Sequence, residues 1–352
     1  RNMKDTDKKK KRPIVLFLLA FIVVVILMFV ANYKSMLVQK LSGPKSGVEK
    51  LSTCGERLVV ISKDKDIYTW NWNDLSAQPE VGSVKAQQAA AMSLDRLIWV
   101  PSGENNVVVV SNLRGDKELK RLSLGVNERC ILLQASPNGK YAVAALAIGG
   151  GSDKRIQLSV IDSDVTYIRP VGTKTMEDGL KLNNIGISND GAFVSAVGGK
   201  DSGWILVASA RSRKILWEQT VSDTNELNNV VFSQDGQMVY ASEPGRFVYS
   251  FEAATGKPAK KFEMDKYKTP PNNPQTISCI VVSPDGSLLA VSTVPESQVL
   301  LWDVQSGKRL AVIHPGQFTV NSLAFSPDSS LLATGDLIGR VPMKVWRLSD
   351  AF

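Results

Sequence analysis

The sequence is poor in the residue types from which most enzyme active sites are built. It has one histidine, His314, and three cysteines, Cys54, Cys130 and Cys279, in 352 residues. Three widely spaced cysteines predict neither a disulfide framework nor a zinc site, and no Cys-x-x-Cys-His haem motif occurs. One histidine without nearby paired carboxylates does not make a typical metal or acid–base site. We therefore expect a protein that is not an enzyme and has no cofactor, catalytic residue or metal ligand.

Motifs for phosphate binding and for serine hydrolases are also missing, since neither Gly-x-x-x-x-Gly-Lys-Ser/Thr nor Gly-x-Ser-x-Gly occurs. The formal net charge of +8 arises within residues 1–50, where 11 Lys and Arg face 3 Asp and Glu. Residues 51–352 are therefore neutral overall. They lack the broad basic field that binding to nucleic acid requires, so we expect no nucleic-acid partner.

One long apolar run, Ile14–Ala31, contains 18 residues without a polar side chain. As a helix it spans about 27 Å, close to the thickness of the hydrocarbon core of a bilayer. Seven basic residues precede it and two follow within twelve residues, so the positive-inside rule places the N-terminus in the cytoplasm. We expect a cytoplasmic tail over residues 1–12 and a transmembrane helix over residues 13–32. The alternative is a cleaved signal peptide, but Phe29 is too large for position −3 of a cut after Ala31.

The stretch Thr276–Pro315 shows the repeating unit of the remainder. Four short apolar runs, Ile277–Val282, Leu288–Ser292, Val299–Val304 and Arg309–Ile313, alternate with tight turns. Proline, aspartate and glycine in these turns favour chain reversal, so the pattern predicts four antiparallel strands. A turn serine recurs at intervals of 41 to 52 residues, which predicts seven such units. These serines are Ser52, Ser93, Ser136, Ser188, Ser233, Ser283 and Ser326.

Tryptophan at the ends of third strands makes the repeats resemble the WD-repeat family. The dipeptides concerned are Trp302-Asp303, Trp72-Asn73 and Trp346-Arg347. The turn Thr255–Lys257 is also similar to turns of the related YVTN and quinoprotein-like propellers. The resemblance covers roughly residues 36–352 and implies an all-β, seven-bladed β-propeller, here preceded by a single transmembrane α-helix.

The resemblance also implies structural roles for several side chains. In WD repeats a histidine bonds to an acidic residue, a serine or threonine, and a tryptophan within one blade. Here His314 would have that role, with Asp336, Thr334 and Trp346 as its partners. Trp302 and Asp303 would form the corresponding strand end of the preceding blade.

The last repeat supplies only three strands, Asn321–Phe325, Leu331–Thr334 and Met343–Leu348. Propellers of this family usually complete the last blade with an N-terminal strand, and Met36–Leu41 is the available candidate. We therefore expect residues 33–47 to hold a linker and the closing strand, and residues 48–352 to hold the propeller. Closure would remove an exposed sheet edge.

Four long polar connections are predicted on one face of the ring: Ile148–Lys154, Thr173–Asn183, Met264–Gln275 and Leu337–Pro342. Loops on a rigid scaffold often bind partners, although they also vary without a function. The predicted partner-binding residues are Lys174, Met176, Tyr267, Lys268 and Asn272.

Taken together, these features predict a membrane-anchored, non-catalytic scaffold or accessory subunit of a membrane complex. Its partners would be other membrane or periplasmic proteins, and the N-terminal helix would contact the lipid bilayer. Because no Asn-x-Ser/Thr glycosylation site occurs, we expect a bacterial inner membrane protein with a periplasmic propeller. The alternatives are a quinoprotein-like redox or enzyme subunit with a cofactor on the propeller axis, and a sensor that signals through its single span.

Overall fold

The computed structural model describes residues 22, 36–93, 95–149, 154–162, 164, 168–177, 179–223, 225–245, 247–264, 276–338 and 343–352. These residues form seven four-stranded antiparallel sheets, which confirms the predicted seven-bladed β-propeller. Within the described part, no helix has the length and apolarity needed to cross a membrane. The apolar run Ile14–Ala31 lies outside that part apart from Ile22, so the predicted span stays a prediction.

Each blade is one sheet, and its strands follow one another from the axis outwards. Blade 1 contains β2 (Val48–Cys54), β3 (Arg57–Ser62), β4 (Asp66–Asn71) and β5 (Glu80–Ser83), and blade 2 contains β6 (Ala86–Ala91), β7 (Arg96–Pro101), β8 (Val107–Asn112) and β9 (Glu118–Ser123). Blade 3 contains β10 (Glu128–Ala135), β11 (Tyr141–Ile148), β12 (Arg155–Asp162) and β13 (Ile168–Thr175). Blade 4 contains β14 (Lys181–Ile187), β15 (Phe193–Gly199), β16 (Gly203–Ser209) and β17 (Lys214–Ser222).

Blades 5 and 6 contain β18 (Asn229–Phe232), β19 (Met238–Ser242), β20 (Phe247–Glu252), β21 (Pro258–Glu263); and β22 (Thr276–Val282), β23 (Leu288–Val294), β24 (Val299–Asp303), β25 (Arg309–Ile313). Blade 7 contains β26 (Val320–Phe325), β27 (Leu331–Asp336) and β28 (Met343–Arg347), with β1 (Leu37–Leu41) as its fourth strand. A short 3-10 helix, Leu348–Asp350, follows β28.

The turn between the first and second strands of a blade is held by its own side chains. In blade 6, Ser283 Oγ donates to Asp285 Oδ1 (2.5 Å) and accepts from the backbone N–H of Leu288 (2.9 Å). Gly286 has φ 73°, a conformation that a residue without a Cβ adopts readily. The same serine-to-side-chain bond recurs at Asn138, Asp190, Asp235 and Asp328. The predicted turn motif is therefore a set of local hydrogen bonds.

The ring closes through β1, as the three-stranded last repeat predicts. β1 runs antiparallel to β28, with Leu37 opposite Trp346 and Leu41 opposite Met343. Leu41 is 2% exposed and belongs to a cluster that combines Met343 of blade 7 with Val48 of blade 1. One N-terminal strand thus completes the last sheet and helps pack that sheet against the first.

One predicted long loop is shorter in the structure. β13 continues to Thr175 and β14 begins at Lys181, so both ends of the predicted loop Thr173–Asn183 are strand residues. Val171 is buried among the blade 3–4 core, and β-branched threonines favour extended backbone here. Cross-strand pairing therefore extends further than the polar composition of this segment suggested.

We expect Leu41→Ala to lower the melting temperature by roughly 5–10 °C, because it removes a buried side chain that joins blades 7 and 1. Thermal unfolding followed by circular dichroism measures the effect. Lys40→Ala, one residue earlier at an exposed position of the same strand, is the control and should change little. Equal melting temperatures for the two variants would contradict a structural role for β1 in ring closure.

Candidate functional site

Blade 7 contains a buried hydrogen-bond network centred on Thr334. Its Oγ1 donates to Oε1 of Gln317 (2.6 Å) and accepts from the indole N–H of Trp346 (3.2 Å). The Gln317 side chain also donates to the carbonyl of Thr334 (3.4 Å). Because all three side chains are buried, these bonds compensate for lost contact with water and fix the loop before β26 onto β27.

The residue that bonds Thr334 is Gln317, three positions after the histidine expected there. His314 is exposed at the end of β25, so the structure places it on the surface. Sequence reasoning missed Gln317 because the family resemblance directs attention to a histidine. The sequence signal that could have indicated Gln317 is its position between Gly316 and Phe318, just before the first strand of blade 7.

A buried carboxylate joins two loops at the same end of blade 7. Asp336 is 1% exposed, and it accepts hydrogen bonds from the backbone N–H groups of Phe318 (3.4 Å) and Ile338 (2.9 Å). Ser297, in the preceding blade, donates to the carbonyl of Phe318 (2.5 Å). Leu337 N–H also bonds to the Thr319 carbonyl (3.0 Å). Three connections of blades 6 and 7 are thereby tied together.

This arrangement presents two apolar side chains to solvent. Phe318 is 57% exposed and Ile338 is 46% exposed, although the backbone of each is anchored on one carboxylate. We name Ser297, Gln317, Phe318, Asp336 and Ile338 the blade 6–7 platform. A rigid backbone with exposed large apolar side chains is suited to binding another protein, since little conformational freedom is lost on association.

The predicted partner-binding residues have different environments. Met176 is 6% exposed within the blade 3–4 core, so its surface prediction is wrong: the thioether side chain fills space between two sheets. Lys174 is paired with Glu218 and lies 5.0 Å from the Trp204 ring centroid, in the same blade contact. The other three predicted residues lie outside the described part of the chain: Tyr267, Lys268 and Asn272.

Trp302 and Asp303 lie at the end of β24. Trp302 is buried in the cluster between blades 5 and 6, and Asp303 accepts from the backbone N–H of Ser306 (2.6 Å). The Ser306 side chain and backbone together hold the pKa of Asp303 below its usual value. These residues form a core contact and a turn. Across the described residues, no group of three or more His, Cys, Asp or Glu could hold a metal ion.

The propeller axis contains a cavity of about 180 Å³, lined by first strands and turns of six of the seven blades. Most of the lining is apolar, and its half-buried members include Val231, Val281 and Val282. Lys50 is the one charged side chain among the described lining residues, and its ammonium donates to Oε1 of Gln134. Its neighbour Glu49 pairs with Lys65 instead. The axis therefore holds a cation whose described protein partner is a neutral amide.

Burial explains the acidity of this lysine. Removal from water lowers the pKa of Lys50 from 10.5 to about 8, with Lys65 acting in the same direction and with Glu49 and Cys279 opposing the change. The unfolded chain therefore binds more protons than the folded chain between about pH 8 and 10.5, so stability rises with pH in that window. Below pH 8 the full cost of burying the charge is present.

We expect Lys50→Met to raise the melting temperature at pH 7 by roughly a few degrees, because methionine fills similar space without a buried charge. The difference from the unmodified protein should shrink between pH 8 and 10.5, as the lysine of the folded protein becomes neutral. Thermal unfolding at a series of pH values measures this difference in melting temperature. A constant difference across that range would exclude titration of Lys50 as the cause.

One family match lies in the sixth and seventh repeats. Residues 307–337 match the WD domain, G-beta repeat (WD40) family. The Caenorhabditis elegans protein named small ribosomal subunit protein RACK1 is 40% identical over 76 residues, 21% of this chain and 21% of that protein. The Caenorhabditis elegans actin-interacting protein 1 is 25% identical over 154 residues, 43% of this chain and 24% of that protein. The chain thus spans less than a quarter of each relative's length.

Solved structures match over nearly the whole propeller. The Myceliophteria thermophila Cps50 (Swd1) β-propeller domain has a TM-score of 0.65 at 14% identity, and the match covers 88% of this chain and 98% of that domain. Kuenenia stuttgartiensis hydrazine synthase has a TM-score of 0.66 at 15% identity, with the same two coverages. At this identity the likeness concerns the fold alone. The chain is a seven-bladed β-propeller that carries a WD40 repeat at residues 307–337.

Proposed function

We propose that this protein is a membrane-anchored, non-catalytic scaffold, or an accessory subunit of a membrane complex, that binds another protein at the blade 6–7 platform. The observation that carries the proposal is the pair Phe318 and Ile338, exposed apolar side chains on backbone held by buried Asp336. The partner surface would be apolar at its centre, because it covers a phenylalanine and an isoleucine.

The fold favours this use of the surface. WD40 propellers typically bind other proteins, and two similar proteins bear names that describe assembly, a ribosomal subunit protein and an actin-interacting protein. The likeness to hydrazine synthase concerns the fold and supports no enzymatic role for this chain. The proposal accordingly rests on the platform rather than on a catalytic group.

The geometry of β1 relates the platform to the proposed anchor. The short-turn face of the ring is the face that holds the turns between first and second strands. β1 begins on that face, because Leu37 pairs with Trp346 near the end of β28, where Leu348 N–H bonds to the carbonyl of the turn residue Ser330. A chain entering β1 from the apolar run Ile14–Ala31 would therefore reach the propeller on its short-turn face. The platform is at the opposite ends of these strands, so it would point away from the bilayer towards partners in the periplasm.

We expect the double variant Phe318→Ser and Ile338→Ser to lose its partner during affinity isolation from gently solubilised native membranes. The change removes exposed apolar contact area while leaving the backbone bonds to Asp336 available, so the melting temperature should stay close to its original value. Quantitative mass spectrometry of the co-isolated proteins measures the loss.

Leu310→Ser is the matched control, because Leu310 is similarly exposed but lies on the outer strand β25. It should retain the partner. Loss of the partner in the control and retention in the double variant would place the interface elsewhere. Retention in both variants would remove the support for the platform.

We expect protease added outside intact spheroplasts to cleave the propeller, because seven basic residues precede the apolar run and only two lie within the twelve residues after it. The N-terminal tail, tagged before residue 1, should stay protected until lysis. A cytoplasmic protein serves as the internal control for leakage. Protection of the propeller together with digestion of the tag would reverse the proposed topology without affecting the platform.

A further inference from the structure

The axial cavity combines three features that together suit a particular class of ligand. Its lining is mainly apolar, it contains the Lys50 ammonium, and Gln134 offers an amide N–H group beside that ammonium. In the described part of the chain, the Lys50–Gln134 pair uses the amide oxygen and leaves the amide nitrogen of Gln134 as a donor. Two donors, one of them charged, therefore meet in an apolar space.

A partly buried ammonium without an anion in contact is unfavourable, and ion pairing with a ligand relieves that cost. Glu49 is engaged with Lys65, and the described residues offer Lys50 no ion pair. Two donors converging from blades 1 and 3 fit the two oxygens of one carboxylate, each of which accepts hydrogen bonds. The positive charge of Lys50 therefore favours an anionic group on the ligand, and the apolar wall of the cavity favours a hydrocarbon part.

The size of the cavity limits the ligand. At about 180 Å³ it is slightly larger than the dry cavity of about 150 Å³ that accommodates benzene in an engineered protein core. Its rim includes the turn residues Pro137, Gln234 and Pro284, so a ligand would enter from the short-turn face. A phosphate group with a large attached body would exceed this space.

We propose that the axial cavity binds a small organic monocarboxylate, with its carboxylate on Lys50 and Gln134 and its hydrocarbon part against the half-buried Val231, Val281 and Val282. This site is independent of the blade 6–7 platform, because the platform lies at the long-loop ends of the strands. Binding would remove the unpaired charge from the axis, so the liganded propeller would be more stable than the empty one.

The test uses the whole 352-residue chain in detergent and 4-fluorobenzoate as the probe, observed by ligand-detected fluorine NMR against a micelle blank. We expect saturable binding at millimolar concentration or below, displaced by benzoate and butyrate. The neutral isostere 4-fluorobenzamide should bind at least about tenfold more weakly, because the charge-assisted hydrogen bond is lost.

Lys50→Met should weaken binding of 4-fluorobenzoate by about tenfold or more, and Gln134→Leu should weaken it to a smaller extent. Lys120→Met, the same replacement on the exposed outer strand β9, is the matched control and should bind normally. Circular dichroism and the melting temperature establish that each variant is folded. Absence of saturable binding by the folded protein, or equal affinity of Lys50→Met and the control, would overturn the proposal.

Discussion

Closure of the ring is the constraint on which the rest of the structure depends. Every blade packs one face on the next, so an incomplete last sheet would leave both an open edge and an unpacked apolar face. The pairing of β1 with β28 removes both, because it completes the sheet and inserts Leu41 into the contact with blade 1. The closed ring fixes the position of the axial cavity, of the short-turn face and of the long-loop ends of the strands.

Two charged side chains, Asp336 and Lys50, have different hydrogen-bond partners and different degrees of burial. Asp336 is fully enclosed, but backbone N–H groups of two loops bond to it, so its charge organises the blade 6–7 platform. Lys50 lies in the axial cavity with a neutral amide as its described protein partner, and its removal from water there lowers its pKa to about 8. The first charge is satisfied within the protein, and the second is available for an external anion.

The candidate site could be predicted only in part. The resemblance to WD repeats indicated that Thr334 and Trp346 lie close together, and the structure joins them directly through the indole N–H. It directed the third position to His314, whereas Gln317 is the residue that bonds Thr334. A three-residue shift along a loop changes no apolar periodicity, so the only sequence signal for it was the amide residue Gln317 itself, between Gly316 and Phe318. Apolar periodicity also did not indicate that Phe318 and Ile338 are exposed, because the exposure of a loop residue depends on which backbone groups the folded protein anchors.

The sequence by itself determined the number of blades, the order of strands and the chemistry of the turns, because these follow from local alternation and from serine, aspartate and glycine at fixed offsets. It also indicated that an N-terminal segment completes the last blade. Only the tertiary structure decided that Met176 is buried between sheets, that Asp336 joins two loops, and that Lys50 and Gln134 meet on the axis. Lys50 and Gln134 are 84 positions apart in the sequence, and only the closed ring brings their side chains into contact.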